Sequence, residues 1–166
     1  WLSQYADVPR DQFITENDLR FIARSGFDHV RLPVDEKELW SADGTPNEPA
    51  FALLDRAIGW SRAHGLRVIV DLHTVRSHHF NAVNDGGPAN TLITERAAQE
   101  HFLGLWRQLS ARLRAHPVDA VAYEPLNEAV ADDDEAWNRL VAEVHAQIRA
   151  DEPQRVIVIG SKRWQG

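Results

Sequence analysis

The sequence predicts an α/β fold in which parallel strands alternate with helices, arranged as part of a (β/α)8 barrel. Strand-like and helix-like segments alternate along all 166 residues, and such alternation implies right-handed βαβ crossovers and a parallel sheet. The segment 66–74 is a nearly continuous apolar run, which is typical of a strand covered on both faces. Since a complete barrel usually needs about 250 residues, the length favours a partial barrel. A small doubly wound sheet is the alternative.

The predicted strands are short runs rich in β-branched residues and bounded by turn residues. A polar loop through Asn47 follows the first strand. The loop at 75–92 after the second strand is rich in Gly, Asn and Pro, and long loops of this kind are more often functional than idle. The four strands are residues 27–34, 66–74, 118–124 and 155–160.

The predicted helices carry apolar residues at helical spacing, so that each has one face for a core. Thr15 provides an N-cap for the first helix, and the acidic run 132–135 suits the positive end of the last helix dipole. The helices run from Thr15 to Gly26, from Pro49 to His64, from near Thr94 to His116, and from the acidic run to just before Pro153.

Composition excludes several classes of protein. With 18 basic against 25 acidic side chains, the net charge is −7, so the overall field attracts neither nucleic acid nor an anionic membrane. No apolar run approaches the roughly 20 residues that span a bilayer. The absence of cysteine excludes disulfides and thiolate chemistry but leaves the compartment open. Without methionine or a signal peptide, the chain is expected to be an interior piece of a longer product.

Unusual polar side chains lie at the carboxyl ends of the predicted strands. Arg31 lies near the end of the first strand and His73 at the end of the second, Asn127 and Glu128 follow the third, and Trp164 follows the fourth. In a barrel these ends meet at the face where active sites occur. No Gly-rich dinucleotide or phosphate-binding loop follows any strand, which favours the barrel over a nucleotide-binding sheet.

Three segments carry a family resemblance. FDHVRLPVD (27–35), GLRVIVDLHT (65–74) and YEPLNE (123–128) resemble the second, third and fourth strands of glycoside hydrolase family 5, the cellulase-like retaining β-glycosidases. The resemblance covers nearly the whole chain. It implies that residues 1–166 are a partial catalytic domain that lacks the first strand and strands six to eight. The family often has proline after Asn-Glu, where this sequence has Ala129.

The resemblance implies roles for four strand-end residues. Glu128 matches the general acid/base, which protonates the leaving glycosidic oxygen and later deprotonates the attacking water. Asn127 matches the residue that hydrogen-bonds the sugar 2-hydroxyl, and His73 matches a histidine that lines the sugar site. Arg31 matches an arginine that orients the nucleophilic carboxylate. That nucleophile follows strand seven in the family, so we expect it outside this chain.

From the residues alone, ordinary structural roles stay open for these side chains. Glu128 could be a solvated loop carboxylate, and Arg31 could be an ordinary salt-bridge residue. Glu124 is expected to be a buried partner of a cation.

Aromatic and imidazole side chains near the same end are candidates for substrate binding. His78 and His79 lie in the loop after the second strand and are expected to contact sugar hydroxyls. Trp40 and Trp164 could stack an indole face on a pyranose. His73, His78 and His79 could together ligate a divalent ion, but they lack the spacing of known metal motifs. We therefore predict no metal and no cofactor.

The leading hypothesis is a fragment of a retaining endo- or exo-β-glucanase, inactive by itself, whose substrate is a β-glucan or an oligosaccharide. A non-catalytic carbohydrate-binding remnant and a metal-dependent barrel hydrolase or isomerase are the alternatives. Neither nucleic acid nor membrane is an expected partner, and self-association through exposed barrel edges is expected. The resemblance implies a secreted or periplasmic location.

Overall fold

The computed structural model describes residues 2–3, 9–78, 90–131 and 133–162, and helices and parallel strands alternate through it as predicted. The elements are α1 (Arg10–Phe13), α2 (Glu16–Arg24), β1 (His29–Asp35), α3 (Glu36–Leu39), α4 (Glu48–Ala63), β2 (Arg67–Thr74), α5 (Arg96–Leu113), β3 (Val121–Glu124) and α6 (Asp134–Asp151).

Local signals account for several helix ends. The predicted N-cap Thr15 forms a capping box with Asp18, whose Oδ2 accepts from the Thr15 backbone N–H at 2.8 Å, so two otherwise unpaired groups satisfy each other. Gly65 follows α4 with φ of 75°, a conformation that glycine adopts without steric cost. Asp133 caps α6 by accepting from the backbone N–H of Glu135 at 3.0 Å.

The sheet is parallel, with strand order β1-β2-β3. The predicted fourth strand differs, because the segment 155–160 lies parallel beside β3 but pairs with it only through one bridge, Tyr123 to Ile157. The Val158 backbone N–H donates to the Tyr123 carbonyl at 2.8 Å. Since β3 contains only four residues, it offers this neighbour few ladder positions.

The two faces of the sheet have different environments. Alternate residues on the outer face, such as Leu32, Val70 and Tyr123, are buried and belong to one hydrophobic cluster that includes side chains of α4, α5 and α6. The opposite, inner face carries the residues paired in register as Arg31 with Ile69 and as Asp71 with Glu124. Successive side chains of a strand alternate between faces, so polar strand-end residues collect on the inner face.

One departure from the predicted elements follows β1. The sequence predicts a polar loop through Asn47, but residues 36–39 form the short helix α3. Leu39 and Trp40, at its end, are both buried in the core. Burial of these two large side chains accounts for the order of a segment that looks polar in sequence.

The side chain of Arg155 fixes the beginning of β3. This side chain is fully buried, and it donates to the Glu152 carboxylate and to the carbonyls of His116, Pro117 and Val121 at 2.6–3.0 Å. The Tyr123 hydroxyl donates to the same carboxylate at 2.8 Å. Burial, and then this hydrogen bond to Glu152, raise the pKa of Tyr123 well above its ordinary value.

We expect Arg155→Met to lower the free energy of unfolding by about 3 kcal/mol, because the buried carboxylate of Glu152 loses its compensating cation. Urea unfolding followed by circular dichroism, at one protein concentration, measures this loss. Arg96→Met is the matched control, since Arg96 pairs with Glu143 on the surface and should leave stability nearly unchanged. Equal stabilities for the two variants would contradict the assignment of Arg155.

Within the part of the chain that the structure describes, every helix is too short or too polar to cross a bilayer.

Candidate active site

Arg31 is the centre of a hydrogen-bonded network at the carboxyl ends of the strands. Its Nε and Nη2 atoms donate to the two carboxylate oxygens of Glu124 at 2.7 and 2.8 Å. Nη2 also lies 2.9 Å from Asp71 Oδ2 and donates to Asn127 Oδ1 at 2.9 Å. A guanidinium that holds a carboxylate in this bidentate manner is fixed in both position and orientation.

The electrostatics of this site are dominated by carboxyl groups around one cation. The hydrogen bonds to Glu124 raise the pKa of Arg31 above its ordinary value, the charges of Asp71, Glu124 and Glu128 raise it further, and burial opposes them. Burial raises the pKa of the Asp71 carboxyl and the charge of Glu124 adds to this, while the hydrogen bond from His73 and the charge of Arg31 oppose it. The charge of Glu128 is the smallest of these influences on Arg31.

His73 is held at the end of β2 by Asp71. Its Nδ1 atom lies 2.6 Å from Asp71 Oδ2, and its side chain is largely buried. An ionised Asp71 accepts the Nδ1 proton and so sets both the tautomer and the direction of the ring.

Glu128 lies in a bend of the backbone just after β3, and residues 127–130 are called the Glu128 turn below. It is the non-glycine residue with a positive φ, 41°, among the described residues. Asn127 and Ala129 on either side are buried, whereas Glu128 itself is half-buried. The turn is tied to its neighbours by the backbone N–H of Val130, which donates to His78 Nε2 at 2.9 Å. Backbone strain of this kind is typical of functional sites.

The structure brings most of the predicted catalytic residues together. Arg31 and Asn127 are in direct contact, and His73 joins them through Asp71. Glu128 interacts electrostatically with Arg31. Glu124 is the buried partner of a cation, as expected. The catalytic roles themselves stay predictions.

Asp71 is a site residue that the sequence prediction missed. Its signal was present, because it precedes His73 by two positions and therefore points to the same face of β2. A charged residue inside a nearly continuous apolar strand must find a partner when it is buried, and Arg31 and His73 are its partners.

Two predicted substrate-binding residues need correction. Trp40 is buried in the core, where its ring packs edge-on against the ring of Phe51 with 5.3 Å between the ring centroids. Its Nε1 donates to Gln108 Oε1 at 3.0 Å. His78 is completely buried, so its imidazole cannot contact a sugar hydroxyl. Both lie in segments that fold inward after a strand. His79 and Trp164 lie outside the described residues.

The sequence leaves open a metal site formed by the imidazoles near Glu128. Within residues 2–3, 9–78, 90–131 and 133–162, no group of three or more His, Asp or Glu side chains is arranged to hold a metal ion.

Comparison with known proteins identifies the family. Residues 3–166 match the family model Cellulase (glycosyl hydrolase family 5). Cellodextrinase A of Ruminococcus flavefaciens is 34% identical over 97% of this chain and 48% of its own length. Endoglucanase C of Acetivibrio thermocellus is 33% identical over 99% of this chain and 48% of its own length.

The fold agrees with this. The crystal structure of endoglucanase Cel5A from Thermotoga maritima superposes with a TM-score of 0.74 at 28% identity, over 92% of this chain and 46% of that one. The chain thus spans about half the length of the relatives it matches, and the predicted partial α/β fold is confirmed. The three strand-end segments and the matched region together place the chain in glycosyl hydrolase family 5.

Proposed function

We propose that this chain supplies the acid/base half of an active site that hydrolyses β-linked glucans with retention of configuration. The observation that carries the proposal is the network around Arg31, which binds Asn127 directly and His73 through Asp71 at the end of the sheet that Glu128 follows. The names of the relatives, a cellodextrinase and endoglucanases, support a glucan as the substrate.

Glu128 acts first as an acid and then as a base. Its carboxyl proton passes to the glycosidic oxygen while the bond from that oxygen to the anomeric carbon breaks, and a second carboxylate bonds to the anomeric carbon. Water then displaces that carboxylate and gives its proton back to Glu128. The second carboxylate should lie about 5 Å from Glu128, the separation typical of retaining enzymes.

The second carboxylate must be able to reach the sugar. Among the described residues, Glu124 and Asp71 are the carboxyl groups bound to Arg31, and both are buried in that network. We therefore propose that the nucleophile comes from further polypeptide that corresponds to the other half of the relatives. Roughly another 100 to 150 residues would complete the barrel.

Asn127 and Arg31 prepare the site for substrate. Because Asn127 Oδ1 accepts from Arg31 Nη2, the amide orientation is fixed, and its Nδ2 amino group remains to donate to the sugar 2-hydroxyl. The Arg31 side chain is 36% exposed, so it can also contact an incoming nucleophilic carboxylate.

The test is hydrolysis of a soluble β-glucan by the polypeptide that contains the complete barrel, with NMR of the anomeric proton of the first product. We expect turnover with the β configuration retained. Binding of cello-oligosaccharides without turnover would replace this proposal with a binding remnant, and loss of activity on chelation would replace it with a metal-dependent hydrolase.

By itself, residues 1–166 should self-associate and show no hydrolysis of a fluorogenic β-cellobioside. Val156 and Val158 are exposed, and together with Ile69 and Ala122 they line an open cavity of about 260 Å³ beside the sheet. Exposed apolar surface and unpaired strand edges favour association. Size-exclusion chromatography with light scattering should give a dimer or a larger species.

Val158→Asp should shift the chain towards monomer, because it places a charge in the exposed apolar cavity. Phe21→Asp is the matched control, since Phe21 is exposed on α2 and does not line this cavity, and it should leave the association unchanged. A monomer that hydrolyses the substrate in a Glu128-dependent manner would contradict the need for further polypeptide.

A further inference from the structure

We propose that His78 is a positioning residue, which holds the Glu128 turn through its Nε2 atom. The imidazole is completely buried, and Nε2 accepts a hydrogen bond from the backbone N–H of Val130 at 2.9 Å. Val130 is two residues after Glu128, so this bond spans from the loop after β2 to the turn after β3. The effect on catalysis rests on the function proposed above, whereas the effect on the turn does not.

The Glu128 turn needs an external support. Glu128 has φ of 41°, a left-handed conformation that is unfavourable for a residue other than glycine. The following residue is Ala129, which does not restrict the backbone as proline would. Hydrogen bonds must therefore select this conformation. Ala129 and Ala131 on either side of Val130 are buried, so a Val130 N–H without an acceptor would be penalised.

The backbone segment that carries His78 is held by contacts of its own. The His78 backbone N–H donates to the Val75 carbonyl at 3.0 Å and closes a turn. Within that turn, the Arg76 backbone N–H donates to Glu36 Oε2 at 2.7 Å, and the Arg76 side chain also binds Glu36. Glu36 is buried on α3, and its Oε1 also lies 2.7 Å from His101 Nε2. The proposed mechanism uses none of these groups, yet together they fix the backbone segment 75–78 that carries the imidazole.

The hydrogen bond defines the chemical state of the ring. A nitrogen that accepts from a backbone N–H carries no proton, so His78 is neutral with its proton on Nδ1. A protonated ring would also carry a proton on Nε2, and that proton would point at the backbone N–H of Val130. Glutamine can replace this function, because its Oε1 accepts at a similar reach, whereas leucine fills the space without an acceptor.

The structural test compares His78→Leu and His78→Gln with the parent chain. In hydrogen–deuterium exchange followed by NMR, we expect the Val130 amide to exchange about tenfold faster or more in His78→Leu, because the amide loses its acceptor. In His78→Gln it should exchange near the parent rate. Ser61→Ala is the control, because it removes one buried hydrogen bond within α4, from Ser61 Oγ to the Ala57 carbonyl, and should leave Val130 unchanged.

Two results would overturn the proposal. One is a Val130 amide that exchanges at the same rate in His78→Leu and in the parent chain. An increase at Val130 in His78→Leu that is no larger than the increase at amides throughout the chain would count in the same way, because it would reflect general destabilisation. The other comes from ¹⁵N NMR of the parent chain, which needs no variant to fold: a proton on Nε2 of His78 is incompatible with the bond. An unprotonated Nε2 supports it.

The catalytic test uses the polypeptide with the complete barrel. We expect His78→Leu to lower kcat about tenfold with KM nearly unchanged, because small displacements of a catalytic group reduce rate more than binding. His78→Gln should restore most of kcat. Full kcat in His78→Leu would overturn the role in catalysis, whereas full activity of Glu128→Gln would instead overturn the proposed function and leave the exchange test intact.

Discussion

Under the proposed function, Glu128→Gln in the polypeptide that contains the complete barrel is expected to lower turnover of a β-glucan by about 10² to 10⁴. The amide keeps the shape of the side chain but has no proton to give to the leaving oxygen. Binding of substrate should survive, so that kcat falls while the dissociation constant of a cello-oligosaccharide changes little. Initial rates of reducing-end release and calorimetry measure the two quantities.

Two controls sharpen this expectation. An aryl cellobioside with a good leaving group should lose less in its first step, because that oxygen needs little protonation. Glu100→Gln changes an exposed carboxylate that pairs with Arg96 on α5 and should retain full turnover. If Glu128→Gln kept glucan turnover within about threefold of the parent enzyme, Glu128 would not be the acid/base.

Arg31→Met should reduce both activity and stability. Turnover is expected to fall by about 10² or more, because the side chain orients Asn127 and stabilises charge in the site. The free energy of unfolding should fall by about 2 kcal/mol, less than for a fully buried pair, since Arg31 is 36% exposed and water partly compensates Glu124 and Asp71. Initial rates and urea unfolding measure both effects.

Arg31→Lys separates charge from geometry. Lysine keeps the cation but cannot hold Glu124 through two parallel hydrogen bonds, so stability should largely return while turnover stays low. Arg67→Met is the matched control at the opposite end of the neighbouring strand, where Arg67 pairs with the exposed Asp28. Arg31→Met with parental turnover would show that the network is only structural.

Much of the site could be predicted because it depends on local periodicity and on topology. Residues 27–34 are rich in β-branched residues, and residues 66–74 form a nearly continuous apolar run, as buried strands do. Parallel strands bring their carboxyl ends to one edge of the sheet. Arg31, His73 and Asn127 were therefore predicted to converge, and they do. Thr15 was predicted as a cap because the capping pattern lies within a few residues.

Other features depend on contacts between residues far apart in sequence. Trp40 and His78 follow strands, as sugar-binding residues would, yet both are buried. The direction of each side chain is set by the path of its loop, and that path depends on what the core and the neighbouring loops accept. No local pattern distinguishes an indole that closes the core from one that faces a ligand.

The sequence by itself determined the alternation of the longer helices with three parallel strands and the set of polar residues at the carboxyl end of the sheet, since each follows from residue spacing along the chain. Only the tertiary structure decided that Arg31 binds Glu124 and Asp71, that the segment 155–160 pairs through one bridge, and that His78 supports the Glu128 turn. These features join segments of the chain that are distant in sequence, and their geometry is fixed by strand register and packing rather than by local propensity.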